Sequence, residues 1–331
     1  MKKTNFYFLI IIGILLGSCD KMVESIDVNT YQSQPKLYSY DELMDEVAFP
    51  SQGELVEIEN GLTLRKIDEN CYVYGLDMLL TKEQIEDLND IINSSYQNQT
   101  RGTIVTQTKY NWPNKTIPYT FNSNLTTAHR NMINHAIDVW RTQTQIKFVP
   151  RTNQRDYVEF IAGDGNSSYV GRIGRKQEIT IHKTLGTAGN MIHEIGHAVG
   201  MLHEHQNFVR DNAIIVHENN IKAAFVGQFK KITGNQHVHN SGIYDMGYPF
   251  SSIMMYPSLN SFAIDITQPT MTIKPSYLWG GSYRTGDIWI SQRKFLTASD
   301  RAVVALKYEY PYDAATDTSL KHEIIHGPPT P

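Results

Sequence analysis

His193-Glu194-Ile195-Gly196-His197-Ala198-Val199-Gly200-Met201-Leu202-His203 decides the reading of this 331-residue chain. The run follows H-E-x-x-H-x-x-G-x-x-H, in which three imidazoles and a water form an open zinc site and the glutamate supplies a base. On a helix, residues four apart lie about 40° apart around the axis, so His193 and His197 share one face in successive turns. Glu194 sits about 100° round from His193, within reach of a water on the metal but poorly placed to be a ligand. Gly200 can take the left-handed conformation that ends a helix, turning the chain so that His203 approaches the metal from another side. Thr187 is the expected N-cap, and Met191, Ile192, Ile195, Ala198 and Val199 make the helix apolar enough to be buried.

A second H-E-x-x-H occurs at His322-Glu323-Ile324-Ile325-His326. Gly327-Pro328-Pro329 follows at once and no third histidine remains, so this copy reads as a polar tail segment. The short pattern arises readily by chance in a histidine-rich chain; the glycine turn and third histidine make the first copy far more specific.

Lys2 and Lys3 precede an apolar run from Phe6 to Leu16, too short for a membrane span and flanked like a signal peptide. Leu16-Gly17-Ser18-Cys19 resembles the bacterial lipobox, which implies lipid attachment at Cys19 after removal of residues 1–18. The expectation is an extracytoplasmic protein anchored by lipid to a bacterial membrane. Only Cys71 then remains, which rules out an intramolecular disulfide framework and leaves stability to a packed core. A formal net charge of −4 points to no nucleic-acid partner.

Residues 20–50 read as a polar tether. Alternating runs such as Leu55-Val56-Glu57-Ile58 and Cys71-Tyr72-Val73-Tyr74 predict strands, with Asn60-Gly61 as a hairpin turn. Thr81 and Gln84 cap a predicted helix carrying Ile85, Leu88, Ile91 and Ile92. Gln97 to Gly102 is a polar linker open to proteolysis. Beyond it we expect strands at 117–121, 146–149, 157–161 and 177–181, a helix at 128–141, and a last helix from Ala298 to Tyr308 capped by Thr297 and Asp300. His129 and His135 should face solvent on the helix at 128–141, and His237 and His239 should lie in a polar loop. The fold class is α+β: a twisted, mostly parallel sheet with the zinc-site helix, then a loop-rich C-terminal subdomain. The expected boundaries are a signal peptide over 1–18, tether and propeptide over 19–101, a catalytic domain over 102–310 and a disordered tail over 311–331.

The residues after the third histidine narrow the class. The zinc motif is that of a metzincin, and His203-Glu204-His205 followed by Arg210-Asp211 resembles the continuation found in astacins. Ser252-Ile253-Met254-Met255-Tyr256 is similar to the astacin Met-turn, and Trp112-Pro113, Ile117-Pro118-Tyr119, Ser168 to Gly171 and Leu296 to Asp300 look like further astacin landmarks. The resemblance covers about 105–310. It implies one zinc ion per chain held by His193, His197, His203 and a switchable ligand, Tyr256, above an apolar floor made by Met254. It also implies a peptidase acting on polypeptides, with Glu194 as base and Tyr256 as oxyanion donor. An extended substrate would add to an edge strand, for which 168–171 is the candidate rim. Asn207, Val209 and Met255 depart from the family pattern without removing a ligand or the base.

The same resemblance makes the N-terminal segment an inhibitory propeptide. Astacin propeptides carry Phe-x-Gly-Asp; Tyr74-Gly75-Leu76-Asp77 keeps the aromatic-to-aspartate spacing but shifts the glycine. Asp77 is therefore one candidate zymogen switch, and Cys71 is the other, because a thiolate ligates zinc strongly. By resemblance, cleavage near Arg101-Gly102 would send the new N-terminus inside toward Glu204, releasing the protease from its anchor. A rival from a different class is a catalytically silent, surface-binding lipoprotein that retains the zinc fold; loss of Glu194 or a ligand would be its signature.

Overall fold

The computed structural model describes residues 53–58, 63–92, 103–105, 107–207, 210–231, 248–274, 286–289, 292–312 and 325–326. The signal peptide, Cys19, the 20–50 tether, the Asn60-Gly61 turn, Arg101-Gly102, Val209, His237, His239, His322 and Glu323 lie outside the described residues. Among the described residues, no helix is long and apolar enough to cross a membrane.

Val158 and Phe160 occupy alternate positions in β7 (Tyr157–Gly163), as do Ile179 and Ile181 in β9 (Lys176–His182), and all four are buried. These two strands lie within a nine-stranded sheet. On one side of β7 lie β5 (Thr116–Phe121) and then β6 (Lys147–Pro150), all parallel. Beyond β9 lies β8 (Ser167–Tyr169), antiparallel to it.

Two helices cover the apolar face. In α2 (Thr127–Gln143), Ile133, Ala136, Ile137 and Trp140 recur at helical spacing and join Met191, Ile192 and Ile195 of α3 (Ala188–Val199) in one core. The buried indoles are satisfied: Trp140 Nε1 donates to Ile192 O at 2.9 Å and Trp112 Nε1 to Ala198 O at 2.8 Å. His129 corrects the expectation of a solvent-facing ring. It is buried and closes a capping box with Thr126 at the start of α2, whereas His135 is exposed.

The N-terminal strands are part of the same sheet. β1 (Glu54–Glu57), β2 (Thr63–Asp68), β3 (Cys71–Tyr74) and β4 (Met78–Leu80) form an antiparallel meander. β4 then pairs in parallel with β8, Met78 opposite Ser168 and Leu79 opposite Tyr169. The sheet as a whole is therefore mixed, with its other parallel pairs among β5, β6, β7 and β9. α1 (Lys82–Ile92) has the expected Thr81–Gln84 capping box, and Gln84 Nε2 also donates to Val170 O at 2.6 Å.

Past α3 the chain forms 3₁₀ turns at Glu204–Gln206, Arg210–Asn212, Glu218–Asn220 and Ala223–Phe229. It adds two small ladders, β10 (Ile214–Val216) with β11 (Met271–Ile273) and β12 (Ile288–Trp289) with β13 (Ile325–His326). The second ladder gives regular pairing to two residues of a segment whose composition suggests none. α4 (Ala298–Lys307) starts at the expected Thr297–Asp300 capping box.

Lys307, at the end of α4, is buried, and its Nζ donates to Val105 O at 2.6 Å. Burial pushes its pKa down to about 7 from 10.5. The unfolded chain therefore binds the proton that the folded chain sheds, and this residue makes stability rise with pH between those values. The expected slope is up to about 1.4 kcal/mol per pH unit. Urea unfolding of the wild type and Lys307→Met from pH 7 to 10 should show that contribution lost in the variant.

Candidate metal centre

The helix α3 carries the first two histidines, and its ends place the third. Thr187 accepts from Asn190 N as the N-cap, while Gly200 at φ +114° closes the C-terminus and turns the chain toward His203. His193, Glu194, His197 and His203 are all buried.

The inward-facing nitrogens converge. His193 Nε2 lies 3.1 Å from His197 Nε2 and 3.2 Å from His203 Nε2. Asp77 completes the set: its Oδ2 is 3.2 Å from His203 Nε2 and 3.3 Å from His193 Nε2, and its Oδ1 is 3.8 Å from His197 Nε2. A tetrahedral zinc with bonds of about 2.0–2.1 Å requires ligand atoms about 3.3 Å apart.

Proton placement makes the same point. His193 Nδ1 is 2.7 Å from Ile253 O, and His197 Nδ1 is 2.8 Å from Met201 O. A carbonyl can only accept, so both Nδ1 atoms carry the hydrogen and both Nε2 atoms present lone pairs. Burial also pushes the His193 pKa down to about 3, keeping that ring neutral. Lone pairs and a carboxylate crowded together at these distances repel unless a cation lies among them, and nitrogen with oxygen donors suits zinc. Among the described residues, Asp77 with the three histidines is the group able to hold a metal ion.

The structure brings Asp77 into this ring but not Cys71. Cys71 packs with Val73 and Leu79 in a small apolar cluster, and burial pushes its thiol up, away from the thiolate that zinc would need. Strand alternation explains the separation: Cys71 and Val73 share one face of β3, while Tyr74 belongs to the cluster on the other.

Tyr256 is buried, and its hydroxyl donates to Gly75 O at 2.7 Å. In this state the hydroxyl is thus engaged with the N-terminal segment. Its ring stacks on His205 at 4.0 Å, which makes His205 a packing residue, anchored by Nε2 within 3.1 Å of Gln228 O. Met254 packs against α3 between the first two histidines: a Cβ on Gly196 would come within 2.6 Å of its sulfur.

Several contributors were not foreseen. Asp300, noticed only as a helix cap, accepts from Ser252 Oγ and from Ile253 N and so holds the Met-turn against α4. Arg293 Nη1 donates to Ile253 O at 2.9 Å, the same carbonyl that orients His193. Gly75 packs on His203, where a Cβ would meet Nδ1 at 2.8 Å. Only the glycine of the motif and the cap spacing hinted at these contacts.

Glu204 is buried rather than at the surface, and burial pushes its pKa up to about 8. Its Oε1 accepts from Thr103 N at 2.9 Å and its Oε2 from Thr103 Oγ1 at 3.1 Å. The Glu204 carboxyl group, which the resemblance assigns to a new N-terminus, is occupied here by the Thr103 peptide N–H and hydroxyl. Where the family usually has arginine, Asn207 is buried; Arg210 donates from Nη1 to His205 O at 2.7 Å and tightens the same loop.

Comparison with known proteins gives one family. Residues 104–309 match the family model for Astacin, a family of peptidases. Flavastacin of Elizabethkingia meningoseptica is 36% identical over 231 residues, covering 64% of this chain and 50% of that protein. Nematocyst expressed protein 6 of Nematostella vectensis is 31% identical over 207 residues, covering 61% of this chain and 69% of that protein. The chain thus spans about half the length of flavastacin. Among solved structures, high choriolytic enzyme 1 of the medaka Oryzias latipes, a hatching enzyme zinc-protease, superposes with a TM-score of 0.50 at 24% identity. That match covers 66% of this chain and 100% of the other, and it supports the fold.

Proposed function

The chain belongs to the astacin family of peptidases, and from that premise we propose that it is a zinc-dependent endopeptidase made as a latent, lipid-anchored precursor. The observation that carries the reading is the Asp77 carboxylate beside three imidazoles whose Nε2 atoms converge on it. That carboxylate lies where a catalytic centre of this kind holds its open position.

His193, His197 and His203 hold the metal once the carboxylate leaves. Zinc supplies Lewis acidity there, polarising a carbonyl and acidifying water. Glu194, the residue after the first ligand, takes the proton from water and returns it to the departing amine. Tyr256 donates its hydroxyl hydrogen to the substrate carbonyl oxygen as negative charge develops on it. Its present bond to the Gly75 carbonyl supports that role, since the acceptor is a peptide oxygen beside the metal site. The edge of β8, now taken by β4, offers main-chain hydrogen bonds to an extended polypeptide.

In this reading Asp77 is the zymogen switch and Cys71 is a core residue. Residues 19–101 form tether and propeptide, 102–310 the catalytic domain and 311–331 a tail. Lipid on Cys19 holds the precursor at an extracytoplasmic membrane surface, and a cut near Arg101-Gly102 frees the catalytic domain. The Leu16-Gly17-Ser18-Cys19 motif and the polar composition of the linker support these assignments.

Two experiments test the reading. After limited proteolysis of the zinc-loaded chain, casein hydrolysis should fall at least about 100-fold in Glu194→Ala while the variant still binds about one zinc. Equal activity in parent and variant contradicts the assigned base. In the uncut chain, Asp77→Ala should hydrolyse casein without prior cleavage and Cys71→Ser should remain latent; the reverse pattern would reassign the switch.

A further inference from the structure

Gly75 and Leu76 both have left-handed backbones, with φ +63° and +69°. Glycine adopts that region freely, but for leucine it is sterically costly. The two residues nevertheless set up three contacts in succession. The Gly75 carbonyl accepts from Tyr256, Leu76 is buried, and Asp77 reaches the histidines. Leu76 joins the buried cluster of Phe229, Met255 and Tyr256 in the C-terminal subdomain. It also lines a cavity of about 240 Å³ whose walls are β1–β3 of the N-terminal segment on one side and residues 223–228 with Lys230 on the other.

The track followed by residues 75–80 is that of a bound polypeptide. β4 runs along the β8 edge, Ser168 N donates to Asp77 O at 2.9 Å and Val170 N to Leu79 O at 3.1 Å. A peptide occupying the same track with its reacting carbonyl at the metal places a residue flanking the scissile bond where Leu76 now sits. What remains after the N-terminal segment departs belongs to the catalytic chain: Phe229, Met255 and Tyr256 of the apolar cluster, and on the cavity wall the half-buried Val226 and Gln228 with the exposed Lys230.

We propose that the recess now filled by Leu76 is a specificity pocket, taking a leucine-, methionine- or phenylalanine-sized apolar side chain directly flanking the scissile bond. This rests on the endopeptidase reading. Burying such a side chain in the cluster of Phe229 and Tyr256 removes apolar surface from water. Leu76 is then an occupant as well as a spacer, and its burial offsets the cost of its backbone conformation.

The test uses the full-length chain, zinc-loaded, activated by limited trypsin treatment and then freed of trypsin activity with an inhibitor. Digestion of a randomised peptide library should show leucine, methionine and phenylalanine enriched about five-fold or more over aspartate, glutamate and lysine at one of the two flanking positions. The profile itself reports which side of the cut the pocket serves. Cleavage with no apolar enrichment at either position, or with acidic residues favoured at both, overturns the pocket and leaves the endopeptidase reading standing. No cleavage of any peptide overturns that reading and the pocket with it. In a second arm, Val226→Asp should lower kcat/KM for a leucine-flanked peptide about ten-fold more than for its alanine-flanked counterpart. Equal loss on both peptides means that Val226 serves only folding, and counts against the pocket.

Discussion

Two backbone carbonyls, those of Ile253 and Met201, hold the imidazoles of His193 and His197 with their Nε2 lone pairs turned inward. That orientation makes a metal centre out of what would otherwise be buried histidines. It also couples distant parts of the chain. Ile253 belongs to the Met-turn, which is held by Asp300 at the start of α4 and by Arg293. Met201 follows the Gly200 turn and is bridged to Ile104. The geometry of the centre therefore depends on both halves of the catalytic region and on its first described residues.

The N-terminal segment meets this centre through the Asp77 carboxylate and as an extension of the sheet. β4 takes the exposed edge of β8, so the main-chain groups that would attract an extended polypeptide are already paired. The Asp77 carboxylate would offset part of the charge of a dication held among the three histidines. Thr103 meanwhile satisfies the buried carboxyl group of Glu204. In the proposed precursor much of the catalytic scaffold is thus already assembled, and the proposed maturation would chiefly remove strand, carboxylate and Leu76.

Local chemistry was the legible part. The 193–203 spacing, the Thr187 cap, the Gly200 turn and the Thr297–Asp300 box are set by neighbours within one or two helical turns, and each is present in the structure. The parallel pairing of β4 with β8 could not be read, because three-residue strands carry almost no periodicity and their partners lie about 90 residues apart. The choice between Asp77 and Cys71 hinged on which way a tight turn faces, and consecutive left-handed residues at Gly75 and Leu76 decide that direction. Nothing in the pattern of a non-glycine residue announces positive φ. His129 was misplaced for a related reason: helical periodicity put it on the polar side, but capping drew its ring back over the first turn.

In the proposed precursor, three histidines and the Asp77 carboxylate close the metal site of the uncut chain. Zinc K-edge X-ray absorption on the full-length protein measures this directly. Four nitrogen or oxygen neighbours at about 2.0–2.1 Å and no sulfur are expected. A sulfur shell at about 2.3 Å would place Cys71 on the metal and contradict it.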